Sequence, residues 1–192
     1  KVLLENPRVT DAGHLAYCRA GAQVAIPASY PATPDGFAAR GRDDAQARSL
    51  IATSVELAKQ ARDSYYAENP AAKGLLIAGS VGPYGAYLAD GSEYRGDYQR
   101  SAQVFQDFHR PRVEAPLEVG VDLLACETSQ TFDEIRALAH LLETYPVAQA
   151  MFSFTFRTSQ HLSDGTPPRD VLALLADYLQ TLMAGIICIE QY

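Results

Sequence analysis

Tryptophan is absent from this chain of 192 residues, methionine occurs twice and cysteine three times. The three thiols, Cys18, Cys126 and Cys188, are widely spaced and form no C-x-x-C pair. That argues against a disulfide framework and fits a reducing, cytoplasmic setting. Basic residues are also scarce: 16 Lys and Arg stand against 23 Asp and Glu, for a net charge of -7. A phosphate-binding surface needs clustered Lys and Arg, so no nucleic-acid partner is expected. The densest basic cluster, His109-Arg110-Pro111-Arg112, reads as a solvated helix face. No apolar run approaches the ~18 residues of a membrane span, so no membrane contact is expected. No signal peptide is visible, and the chain lacks an initiator Met. The four histidines, His14, His109, His140 and His161, never show H-x-x-x-H or H-E-x-x-H spacing and are assigned no metal.

The composition that remains, 47% hydrophobic and 20% charged, is that of one globular domain with its own core rather than a disordered chain. Asn6-Pro7 reads as a helix start and Gly21 as its stop, with Val9, Ala12, Leu15, Ala16 and Ala20 at helical spacing. Gln23 to Tyr30 reads as a strand in which Pro27 needs an edge or a bulge. The stripe from Ala47 to Tyr65 predicts a long helix over Asp44 to Asn69. Leu75 to Pro83 is a short apolar run broken by glycines, followed by a polar loop and a helix from about Asp97 to Val119. Pro111 and Pro116 are expected to kink or split that helix. Asp122 to Thr128 is a strand. Thr131 and Glu134 have capping-box spacing for a helix whose stripe is Ile135, Leu138 and Leu142. Ala148 to Phe156 is a strand, and Thr166-Pro167 opens a helix carrying Leu172, Leu175 and Leu179. Asp164-Gly165-Thr166 reads as a turn and helix cap, either structural only or also lining the site, and Gly185 to Glu190 as a last strand.

Alternating helices and wholly apolar strands imply a parallel sheet covered by helices. Gly79 to Gly85 is not G-x-G-x-x-G and no P-loop is present, so a nucleotide-binding doubly wound sheet is not favoured. Ser29, Ser80, Glu127, Thr128, Ser153, Thr155, Cys188 and Glu190 fall at or near strand C-terminal ends, which a (β/α)8 barrel gathers into one mouth. Five strands cannot close such a barrel, which needs ~250 residues. The expectation is therefore an α/β chain, an incomplete (β/α)8 TIM barrel over residues 1–192, running from about helix 1 to strand 6. It would form a single domain lacking the first strand and the last two β/α units.

Glu127 is the conspicuous residue. A carboxylate at the end of a buried strand costs several kcal/mol unless a cation pairs with it. Arg95 or Arg157 of a neighbouring loop would make it structural; a ligand ammonium would make it functional. Its neighbour Cys126 points the opposite way along the strand and reads as packing, as does Cys18 in the first helix.

The stretches "LLIAGSVGPYGAYLADGSEYRGDY", "FHRPRVEA", "DLLACET" and "HLSDGTP", in this order along the chain, resemble the homocysteine S-methyltransferase family. The resemblance is nearest to bacterial members that use S-methylmethionine or S-adenosylmethionine. It implies a (β/α)8 barrel and methyl transfer from a sulfonium donor to the thiol of homocysteine. It also implies zinc held by three thiolates, with the substrate sulfur as the fourth ligand, which deprotonates it. By resemblance Cys188 is the first of those thiolates and so both the metal-binding and the catalytic residue. The other two belong to a Gly-Gly-Cys-Cys segment beyond Tyr192. The substrate-binding candidates are Glu127, Thr128, Ser29, Tyr30 and Ser80, with Glu127 as partner of the homocysteine ammonium. Ile187 stands where the family pattern has Asn, and Pro27 and Pro31 replace a Thr and a Gln. Two other readings are a non-catalytic barrel fragment and a different barrel enzyme, such as a lyase or aldolase. A Schiff-base lysine at a strand end would mark the latter, and Lys1, Lys59 and Lys73 all lie outside the strands.

Overall fold

The computed structural model describes residues 6–189. Helix α1 (Pro7–Arg19) starts with proline in its first turn, where no helical N–H is lost, and its buried residue is Cys18. Val9, placed on the predicted apolar stripe, is exposed instead. Strand β1 (Val24–Ala25) is shorter than the strand expected over Gln23 to Tyr30. Pro27 has no N–H for a ladder, and the chain turns there, the Ser29 N–H donating to the Pro27 carbonyl at 2.8 Å. A short helix α2 (Pro34–Ala38) is capped by Thr33. The long α3 (Asp44–Glu68) opens on a reciprocal capping box between Asp43 and Gln46.

Strand β2 (Leu76–Val81) leads into a segment that the sequence presents only as loop but that contains two short helices, α4 (Tyr84–Leu88) and α5 (Ser92–Arg95). Helix α6 (Ala102–Val119) then runs through both Pro111 and Pro116 without a break. Each interior proline costs about 3 kcal/mol. Packing of α6 against α3, β2 and α7 outweighs that cost. Glycine at position 79 permits the β2 contact, because a Cβ there would lie 2.6 Å from Pro116. Strand β3 (Leu123–Ser129), helix α7 (Phe132–Leu142), strand β4 (Ala150–Thr158), helix α8 (Pro168–Ala176) and strand β6 (Thr181–Ile189) complete the alternation. A two-residue strand β5 (His161–Leu162), not anticipated from the sequence, folds back antiparallel on the end of β4. In α8 the buried positions are Val171 and Leu175, while Leu172 and Leu179 of the expected stripe face solvent.

Strands β1, β2, β3, β4 and β6 are parallel neighbours in chain order. A doubly wound sheet reverses its strand order at a switch point, and none is present here. This is the arc of an incomplete (β/α)8 barrel. Side chains alternate across it. Leu124, Cys126, Phe152, Phe154 and Phe156 pack outward with Ile135 and Leu138 of α7. Burial of each such phenylalanine contributes roughly 1.5–3 kcal/mol. Ala78, Leu123, Ala125 and Met151 form a smaller inner layer. Among the described residues no helix is long and apolar enough to cross a membrane.

Candidate functional site

The inner face becomes polar toward the strand C-terminal ends, with Ser80 on β2, Glu127 on β3, and Ser153 and Thr155 on β4. An irregularity aims Glu127. Along β3, Cys126 pairs with Phe152, but the next partner of β4 is Ser129 with Phe154, so β3 spends an extra residue. Such a bulge bends the strand and redirects a side chain. Thr128 within it has φ 62°. That left-handed backbone is rare for a β-branched residue and strained by roughly 1–3 kcal/mol. The Thr128 N–H donates to Ser153 Oγ at 3.2 Å, and the Gln130 side-chain amide donates to the Thr128 carbonyl.

Glu127 is half-buried and accepts a hydrogen bond from Ser80 Oγ at 2.5 Å. Among the described residues it has no salt bridge. Arg95, one candidate for a structural partner, is engaged by Asp90 and Asp97, and Arg157, the other, forms none with it. Burial pushes the Glu127 pKa above the usual carboxylate range, opposed by the Ser80 hydrogen bond and by the positive charge of Arg112. The Tyr30 phenol is pushed up to about 12, chiefly by burial, with Thr128 lowering it and Glu93 and Glu127 raising it. It is therefore a neutral donor at physiological pH. The structure thus brings Ser80, Glu127, Thr128 and Tyr30 together. Ser29 is buried beside Tyr30 in the chain, and among the described residues its hydroxyl has no partner. Cys126 is buried on the outer face, as expected of a packing residue. Cys188 lies on β6 in register with Thr155; its side chain, and all of Glu190, are outside the described residues.

The largest departure from expectation is His109-Arg110-Pro111-Arg112. It is not a solvated face, since His109 and Arg112 are each only 1% exposed. Both lie on the apolar side of α6 with Phe105, Phe108 and Val113. Arg112 donates to the carbonyls of Tyr30, at 2.7 Å, and Gly82. His109 Nε2 lies 2.7 Å from Glu134 Oε1. Glu134 also accepts from the Tyr84 N–H at 2.6 Å and the Tyr98 hydroxyl at 2.5 Å, and Tyr98 contacts Gln130 at 2.8 Å. Glu134 is thus no capping-box partner of Thr131, whose side chain makes no cap bond. Asp164 caps α7 instead, one oxygen accepting from the Phe132 N–H at 2.7 Å and the other from the Thr166 N–H at 2.8 Å. The helical spacing of His109 and Arg112 among Phe105, Phe108 and Val113 was the available signal for their burial.

Burial holds the His109 pKa below that of free histidine, outweighing the carboxylate of Glu134. His109 is therefore neutral near pH 7 and donates from Nε2, because a carboxylate only accepts. The unfolded chain then binds a proton that the folded one refuses. Stability should be full above about pH 6.5 and fall below it, by up to about 1.4 kcal/mol per pH unit. His14, also held low by burial, acts in the same direction. Unfolding midpoints measured from pH 7.5 to 5 should decline less steeply in His109→Gln than in the parent. Equal slopes would show that His109 does not titrate this way.

Parallel strands in chain order, with polar side chains collected at their C-terminal ends, define a barrel of the class that carries its active site on that face. The chain matches the homocysteine S-methyltransferase family over residues 1–192. It is 67% identical over 189 residues to the homocysteine S-methyltransferase of Escherichia coli (strain K12), covering 98% of this chain and 61% of that protein. It is 46% identical over 191 residues to homocysteine S-methyltransferase YbgG of Bacillus subtilis (strain 168), covering 98% of this chain and 61% of that protein. The metallated form of the E. coli homocysteine methyltransferase MmuM superposes with a TM-score of 0.95 at 67% identity, over 97% of this chain and 65% of that one. The chain belongs to the homocysteine S-methyltransferase family. It spans 61% of the length of both curated relatives.

The metallated relative raises the question of a metal here. Among the described residues no three His, Cys, Asp or Glu side chains gather where they would hold an ion. The described part of the chain does not make a metal site by itself.

Proposed function

We propose that the full-length protein transfers a methyl group from a sulfonium donor, S-methylmethionine or S-adenosylmethionine, to the thiol of homocysteine, giving methionine. The carbon–sulfur bond of the donor breaks and its electron pair returns to the donor sulfur. The new bond forms to the homocysteine sulfur, whose proton is released. The observation that carries this reading is Glu127, a half-buried strand-end carboxylate held by Ser80 and left without a salt bridge among the described residues. Homocysteine brings the missing cation as its ammonium. In this reading Ser80 orients Glu127, Tyr30 and Thr128 shape the wall around it, and the unpaired Ser29 hydroxyl offers a further contact to a substrate polar group.

Family resemblance and the metallated relative support Cys188 as one thiolate ligand of zinc, in a site that other residues complete. Zinc would lower the pKa of a bound thiol and so supply the nucleophile at neutral pH. Ile186 and Ile187 are exposed on β6, as are Leu182 and Met183. These apolar side chains support residues 1–192 as one partial barrel domain that further β/α units cover. The buried, free thiols Cys18 and Cys126 fit a cytoplasmic protein.

The direct assay incubates the purified full-length protein with homocysteine and each sulfonium compound and measures methionine. Methionine should form with at least one donor, and Cys188→Ser should lose both bound zinc and activity. A protein that forms no methionine with either donor, or keeps full zinc without Cys188, would contradict this reading.

A further inference from the structure

We propose that Arg112 is a positioning residue for homocysteine recognition, tying the loop after β1 to the loop after β2 so that Tyr30 and Ser80 are set around Glu127. The inference rests on the reading of Glu127 as the ammonium partner. It follows from three features that converge at one point. The Arg112 guanidinium is buried, yet among the described residues it forms no salt bridge. One donates to the Tyr30 carbonyl at 2.7 Å and the other to the Gly82 carbonyl. The two backbones also approach closely. A Cβ on Gly82 would lie 2.5 Å from the Tyr30 carbonyl oxygen and 2.7 Å from its ring, so only glycine permits this junction. Finally, the guanidinium lies over the Phe108 ring, 5.0 Å from its centroid, which fixes the plane of the fork.

The shape of the group matters. A planar fork spans two carbonyls at once, whereas a lysine ammonium is a point donor on a flexible stem. Tyr30 directly follows Ser29, and Gly82 lies two residues beyond Ser80, the hydroxyl bonded to Glu127. A clamp on these carbonyls therefore acts on both backbone segments beside Glu127 through the chain rather than through substrate contact. Among the described residues Arg112 forms no salt bridge with Glu127, so the carboxylate stays available to a ligand while the nearby positive charge favours its ionised form.

The test uses the full-length protein with Arg112→Met, Arg112→Lys, Gly82→Ala and, as reference, Glu127→Gln. Thermal unfolding is recorded alongside calorimetric homocysteine binding and the KM for each substrate. Arg112→Met should bind homocysteine about 10-fold or more weaker, with the homocysteine KM rising more than kcat falls. Arg112→Lys should recover part of that loss. Gly82→Ala, which forces Tyr30 away while leaving Arg112 in place, should give the same homocysteine-selective weakening and serves if Arg112→Met does not fold. Folded Arg112 and Gly82 variants that bind homocysteine as the parent does, while Glu127→Gln binds it weakly, would overturn the clamp alone. Parent-like binding by Glu127→Gln would overturn the reading of the site and the clamp with it.

Discussion

Glu127→Gln in the full-length protein is expected to weaken homocysteine binding about 10- to 150-fold while its melting temperature stays level or rises. The first part follows from a charge-assisted hydrogen bond at a half-buried carboxylate, worth ~1.5–3 kcal/mol. The second follows from the direction of the pKa. Burial raises the Glu127 pKa, so the fold holds its carboxyl proton more tightly than the unfolded chain does. Ionising it therefore works against the fold. The stability it contributes is present below the unfolded pKa and is lost as pH rises through the folded value. At neutral pH, removing the charge removes that cost. A structural ion pair would behave oppositely, since stranding its cation costs ~3–5 kcal/mol of stability. Calorimetric binding and thermal unfolding of this one variant separate the two. Normal binding with a much lower melting temperature would end the ligand reading.

Glu134→Ala should be among the most destabilising single changes in the molecule. Its carboxylate accepts from the Tyr84 N–H, the Tyr98 hydroxyl and His109. Each donor left buried and unsatisfied costs about 1–3 kcal/mol, not strictly additively, so roughly 3–5 kcal/mol is expected. For a chain of this size that lowers the melting temperature by about 6–20 °C. The loss should fall first on the segment from Tyr84 to Tyr98, whose amides should exchange faster with deuterium than those of β3 and β4. A variant with parent-like stability and unaltered exchange in that segment would show that Glu134 does not anchor it.

The elements that bury a continuous apolar stripe were legible from periodicity alone: α3, β2, β3, α7 and β4 lie within a few residues of expectation. So was the parallel arc, because alternating helices and wholly apolar strands leave few other arrangements. What escaped depends on partners distant in sequence. Pro27 shortens β1 because its ladder partner lies on β2, and the bulge at Thr128 exists only relative to β4. The unbroken α6 reflects packing on α3 and β2 that outweighs its prolines. At the site, Glu127 stood out because a strand-end carboxylate demands a partner. Arg112 and His109 did not, because a basic run is usually solvated. Their partners are backbone carbonyls and a carboxylate contributed by other elements.

The most direct test of the central claim, that Glu127 receives the substrate ammonium, pairs one variant with one analogue. Homocysteine and its counterpart lacking the amino group are titrated by calorimetry into the full-length parent and into Glu127→Gln. The account predicts that the parent prefers homocysteine about 10- to 150-fold, and that Glu127→Gln binds the two compounds nearly alike. An undiminished preference for homocysteine in Glu127→Gln would contradict it.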